Sequence, residues 1–258
     1  MKIFELKHPE YVPVRKKGVT FFGGSQTWMS LDHRFSKDYV FHKWGCGGIA
    51  VADLILYLAR SERECETPVT SLARTVRPVM DIEDYTTYLN FLRDHVIQIV
   101  PWSGMTGFAV AKTVNYYAAR YAVPIKASWK LFYDDDKMLQ TIRHMIKENI
   151  PVILAIGPNT PIIFGKKGVT FYLKSKKEDN SKLEHYQIGA KNVNRHYVTV
   201  TGIVGLKNKQ TLLKISSWGT EYYIDYEELR NYINHTGDRL TSSMLYVERK
   251  DKQKDKTK

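Results

Sequence analysis

The segment GCGGIAVADLILYLARS, residues 45–61, constrains the fold more than any other stretch of this chain. Its apolar side chains (Ile49, Ala50, Val51, Ala52, Leu54, Ile55, Leu56 and Leu58) cover nearly the whole circumference of a helix. A helix that is apolar on one stripe can lie on a surface, but one that is apolar all round must be enclosed. The segment therefore predicts a buried helix over 46–60, in a fold with enough layers to surround it. The run Ile49–Ala59 is only 11 residues long and contains Asp53, well short of the ~20 residues that cross a bilayer. With 258 residues, 43% hydrophobic and 26% charged, the chain can supply such a core, and a disordered chain is excluded.

Further helices are expected over 82–98, 105–121 and 134–148. The last opens on Asp134-Asp135-Asp136, carboxylates that suit a helix N-terminus through the dipole. From Pro151 the texture changes to short apolar runs between turn residues. Strands are expected at 151–156, 169–174, 185–190, 195–205, 211–218, 221–226 and 243–248, with a helix at 227–233. Helices first and an antiparallel-looking sheet afterwards make an α+β pattern. The expected organisation is one domain over 1–248, with a helical lobe about 20–150 and a sheet lobe about 151–248. A disordered Lys-rich tail over 249–258 would follow.

The net charge is +12, and residues 249–258 alone hold six positive and two negative side chains. Such a run reads first as a solvated tail, and long-range charge steers partners without specifying a reaction. No basic-aromatic motif accompanies it, so no nucleic-acid partner is expected. The N-terminus has no apolar h-region of signal-peptide length. With no membrane span either, the expected location is cytoplasmic.

The two cysteines differ in context. Cys65, in SERECETP, reads as an unreactive surface thiol beside acidic neighbours. Cys46, between Gly45 and Gly47, opens the apolar helix. A cysteine at a helix N-terminus has its pKa lowered by unpaired N–H groups and the dipole. A nucleophilic thiolate also needs a base, usually a histidine. Of the eight histidines, His196 begins the apolar strand HYVTVTGIV, and Ser216-Ser217-Trp218-Gly219 ends the next strand. Adjacent antiparallel strands can bring these together, so that a polar residue orients the imidazole and Trp218 shields it from water. His42 and Cys46 are four apart, but Gly45 breaks the helical face, so no metal and no cofactor is expected. Asp53 reads as a buried, hydrogen-bonded carboxylate.

Gly45-Cys46-Gly47-Gly48, then Arg195-His196-Tyr197-Val198, then Ser216-Ser217-Trp218-Gly219 resemble the papain-like cysteine peptidases in order, and His196 follows Cys46 by 150 residues. The texture is most similar to the bacterial branch related to the bacteriocin-leader (double-glycine) peptidases. Pro151-Val152-Ile153 precedes the HYV strand as it does there, and Trp218 leads through Ile224-Asp225 to a helix at Glu227. The resemblance covers roughly residues 20–235. It implies a papain-like fold, a peptide or protein substrate, and amide cleavage with Cys46 as nucleophile and His196 as proton carrier.

Ser216 falls in the slot of the orienting residue, where the family has Asn or Asp. The family's oxyanion glutamine, six residues before the cysteine, is Val40 here. Gln26 is the upstream glutamine available, with His42 as the alternative donor, and residues 30–44 would then form an inserted loop. An uncharged serine and a displaced glutamine leave two outcomes open: a working hydrolase, or an acyl transferase with the same apparatus, on one side, and a catalytically idle domain that binds a peptide on the other.

Overall fold

In the computed structural model of the chain, which describes residues 2–73, 77–131, 134–159, 167–175, 182–183 and 186–250, the apolar segment is a helix over Cys46–Ser61. Every residue from Gly47 to Ala59 in it is buried, as the all-round apolar pattern requires. What surrounds it comes from both halves of the sequence.

The chain opens with strands β1 (Lys2–Glu5), β2 (Pro13–Lys16) and β3 (Val19–Phe22). Helices α1 (Lys37–Trp44), α2 (Cys46–Ser61) and α3 (Pro68–Ser71) follow, then β4 (Met80–Asp81), α4 (Ile82–His95) and α5 (Gly107–Arg120). Next come β5 (Ile125–Lys130), α6 (Asp135–Lys147), β6 (Val152–Ile156), β7 (Val169–Lys174) and β8 (Tyr186–Val193). The remainder is β9 (His196–Gly205), β10 (Thr211–Ser217), β11 (Thr220–Asp225), α7 (Tyr226–His235) and β12 (Met244–Arg249).

The fold is mixed α+β, built on a large antiparallel sheet. Nine strands run in the order β5-β12-β6-β9-β10-β11-β7-β8, with β1 added on β9. Strand β9 is long enough to take two partners along one edge: β6 pairs with its first half (Ile156 opposite His196) and β1 with its second (Lys2 opposite Gly205). A second sheet of three strands, β3-β2-β4, joins residues 13–22 to residues 80–81. Helix α2 lies against β9, α4 and α5, while α5, α6 and α7 also pack directly on strands of the large sheet.

The expected helices and strands from 46 onward are present with ends shifted by a few residues, and the sequence order of helices then strands does not divide the molecule. Strand β5, from the expected helical lobe, and β1, which precedes that lobe, belong to the large sheet. Residues 37–44, expected within an inserted loop, form α1, capped by Ser36, which accepts from the Tyr39 N–H. Cys65 is buried, not at the surface. Arg249, placed in the tail by the sequence, ends β12 opposite Ile125 and ion-pairs with Glu62. Residues 251–258, and His185 at the start of the expected 185–190 strand, lie outside the described residues. No helix among the described residues is long and apolar enough to cross a membrane.

Candidate functional site

Cys46 is the first residue of α2, and the chain reaches it through a corner with no room for a side chain. A Cβ on Gly45 would collide with the Phe41 carbonyl of α1. That corner sets the N-terminus of α2 against the start of β9. Backbone N–H groups of Tyr197, Gly47 and Cys46 itself face the sulfur and favour its charged form. Burial outweighs them, and the Cys46 thiol is raised above its ordinary value. The expectation that the helix N-terminus lowers it fails for this reason: desolvation by the surrounding chain is the larger effect.

His196 is buried at the start of β9. Its Nε2 lies 2.8 Å from Ser217 Oγ, which leaves Nδ1 as the second ring nitrogen. Trp218 stacks on the ring at 4.4 Å between centroids and 24° between planes. Burial alone pushes the imidazole down to about 3, so it is neutral at ordinary pH.

The stacking tryptophan sits in a strained place. Ser217 pairs with Thr220, so Trp218 and Gly219 form a two-residue hairpin turn, with φ of 50° and 74°. Positive φ at both central residues is the type I′ arrangement, where Asn-Gly is the favoured pair. A bulky residue with that backbone persists only when the surroundings hold it. Here His196 and Phe171 do so.

The serine bonded to the imidazole is Ser217, whereas the sequence pattern points to Ser216. The Ser216 hydroxyl instead donates to the Phe22 carbonyl at 2.6 Å. Successive strand residues face opposite sides, so one of the two serines can meet the ring and its neighbour cannot. The β9–β10 ladder is bulged between Lys214 and Ile215, and that one-residue offset decides which.

Ser216 anchors the segment that brings Gln26 to the site. Along Phe22–Gln26, the Phe22 carbonyl accepts from Ser216, and Gly23 N–H donates to the Val12 carbonyl at 2.8 Å. Gly24 N–H donates to Asp53 Oδ2 at 2.8 Å. Gly23 has φ of 91°, and a Cβ there would lie 2.7 Å from Asp53 Oδ2. Gln26 Nε2 donates to the His42 carbonyl at 2.9 Å. An amide nitrogen carries two protons, so one N–H of Gln26 remains for another acceptor. The His42 ring is engaged elsewhere, with Nδ1 2.7 Å from the Met29 carbonyl.

Asp53 lies seven residues beyond Cys46, two helical turns along the same face. It is buried, accepts from Gly24 and, at 2.7 Å, from the Tyr85 hydroxyl. Burial pushes its carboxyl up to about 7 against those two donors. Sequence reasoning found the buried carboxylate but not its partners. The signal was the seven-residue spacing from Cys46 together with the small Gly23-Gly24 pair.

Cys46, His196, Ser217, Gln26 and Trp218 line one narrow cleft whose cavity is about 20 Å³, room for a single water-sized group, with Asp53 and Ser216 at its wall. Cys65 is apart from it, its thiol pushed up to about 12 by burial and by Glu62 and Glu64. Among the described residues, no group of three or more His, Cys, Asp or Glu side chains is placed to hold a metal. Compared with known proteins, the chain matches no family model, no curated protein and no solved structure.

Proposed function

We propose that the chain is a papain-like cysteine hydrolase that cleaves a peptide or other amide bond. The observation that carries this reading is the convergence, in one cleft, of a helix-N-terminal cysteine and a histidine whose Nε2 is fixed by a serine. With Nε2–H donating to Ser217, Nδ1 carries the lone pair and takes the Cys46 proton as the sulfur attacks the carbonyl carbon. The resulting oxyanion is held by the free N–H of Gln26 and the Cys46 backbone N–H. His196 then gives its proton to the departing amine. Water, or an amine in a transferase variant, attacks the acyl-enzyme with His196 again as base, and the thiol is restored.

A second reading has its own support: an idle domain that binds peptide in the same cleft. The resting pair is neutral, because burial raises the thiol and lowers the imidazole, and a serine stabilises an imidazolium less than a carboxylate does. One experiment separates the two. A peptide aldehyde or other thiol-directed peptide electrophile should modify the protein, and Cys46→Ala should abolish this; modification that survives the substitution would end the cysteine assignment. The pH dependence is also specified. With a neutral resting pair, the labelling rate should climb through neutrality toward the thiol's own alkaline range. A plateau reaching down to pH 4–5 would instead reveal a thiolate–imidazolium pair. No labelling at any pH, with peptide still bound, is the outcome for the idle domain.

A further inference from the structure

Beside the cleft the surface carries an aromatic face that the proposed chemistry does not use. Phe35, Trp102, Trp44 and Tyr39 form a continuous chain of ring contacts, with centroids 5.7, 5.9 and 6.2 Å apart in that order. Trp102 is 74% exposed and Phe35 51%. Both have left-handed backbones, φ 65° and 66°. For bulky aromatic residues that conformation carries strain, and strained, exposed aromatics gathered on one face are a mark of a binding surface.

The face is continuous with the candidate active site. Trp44 ends α1 and is separated from Cys46 only by Gly45. The loop bearing Trp102 is pinned to the same corner: Gly104 lies against the Trp44 carbonyl, and the Met105 carbonyl accepts from the hydroxyl of Tyr197, a cleft residue, at 2.9 Å.

Its rim is cationic. The Arg34 guanidinium lies 5.2 Å from the Phe35 ring centre and Lys43 Nζ 5.9 Å from that of Tyr39. Asp38 is paired with Arg93, and Asp94 with Arg93 and Lys37, while Asp32, two residues before Arg34, accepts from the Ser30 hydroxyl. Among the described residues, neither Arg34 nor Lys43 has a carboxylate partner. A ligand that supplies carboxylates to this rim and aromatic rings to this face would satisfy both.

We infer that the face formed by Phe35, Tyr39, Trp44 and Trp102, rimmed by Arg34 and Lys43, docks a peptide segment in which aromatic residues alternate with acidic ones and feeds it toward Cys46. The inference rests on the proposed function only in naming that segment as substrate. The docking itself needs no nucleophile.

The test uses the full chain and three dye-labelled pentapeptides, Glu-Phe-Glu-Phe-Glu, Glu-Ala-Glu-Ala-Glu and Lys-Phe-Lys-Phe-Lys, titrated by fluorescence anisotropy. The first should bind saturably and at least about tenfold more tightly than the other two. Trp102→Ala should weaken it about tenfold or more, as loss of a central aromatic anchor does. The double variant Arg34→Glu with Lys43→Glu should abolish the preference for the acidic over the basic peptide. Equal binding of all three peptides, or titrations of both variants that match the parent, would overturn the proposal. So would a parent that self-associates through this face in sedimentation velocity and loses that association in Trp102→Ala. Should Trp102→Ala fail to fold, the exposed charge reversal decides alone. Cys46→Ala should bind the acidic aromatic peptide unchanged, and alkylation of Cys46 by iodoacetamide should be unaffected in the patch variants. Loss of peptide binding with Cys46 labelling intact would remove the docking face and leave the proposed function. Failed labelling with intact binding would do the reverse.

Discussion

His196 and Asp53, which line the same cleft, respond to acid in opposite directions. An exposed imidazole takes its proton near 6.5, but burial holds the folded His196 to about 3. As pH falls between those values the unfolded chain gains the proton first, so stability is lost. The Asp53 carboxyl titrates near 3.9 when unfolded and near 7 in the fold. Over that window the folded chain gains the proton first, and stability rises as pH falls. The two effects oppose each other between about pH 4.5 and 6.5. Replacing His196 by Gln removes one of them. Relative to the parent, that variant should gain stability by about 2 kcal/mol or more between pH 7 and pH 4.5, at about 1.4 kcal/mol per pKa unit. Urea unfolding at the two pH values reads this directly. A parent–variant difference that does not change with pH would mean that the folded imidazole titrates normally.

At the scale of elements, the segment Phe22–Gln26 ties the cysteine helix to the sheet that bears the histidine. It is bonded to α2 through Asp53 and to β10 through Ser216. Ser216→Ala leaves the Phe22 carbonyl without its donor, at a cost of about 1–3 kcal/mol for a buried group. It should weaken capture of a peptide aldehyde, whose oxyanion needs Gln26, while iodoacetamide alkylation of Cys46 proceeds at the parent rate. Equal effects on both reagents would mean that Ser216 acts on the cysteine itself. The elements with a strong period were legible in the sequence: α2 from its all-round apolar pattern, and β9 and β10 from their apolar runs. Others carried no such signal. Helix α1 buries only Phe41, and β1 (KIFE) buries none of its residues. Cys46, His196, Gln26 and Trp218 could be chosen from motif and order. Whether Ser216 or Ser217 faces the ring could not, because a bulge in a ladder formed with a distant strand decides it. The direction in which the Cys46 thiol moves was also hidden, because it depends on how much chain covers the helix N-terminus.

Over the whole molecule, strands pair across distant parts of the sequence. Strand β1 closes on the second half of β9, where buried Lys214 on β10 ties Glu5 to Glu221 at 2.9 and 3.2 Å. Strand β5 is held by β12 over Ile125–Lys130. Calorimetry should therefore show a single transition, with calorimetric and van't Hoff enthalpies equal, and a fragment of residues 151–248 should not fold alone. Two resolved transitions would mean that the lobes are independent units. The sheet order has a further consequence on the ribosome. Strand β12 enters between β5 and β6, both of which leave the exit tunnel long before it. Until the last of the described strands emerges, the nascent chain holds a slot one strand wide, with two open edges facing each other. At roughly 5–20 residues per second, that slot stays open for seconds, and open edges invite pairing with other chains. A message truncated just before codon 244 would thus yield a sticky product in place of a slightly weakened one, and a chaperone that shields strand edges would act on this protein late in its synthesis.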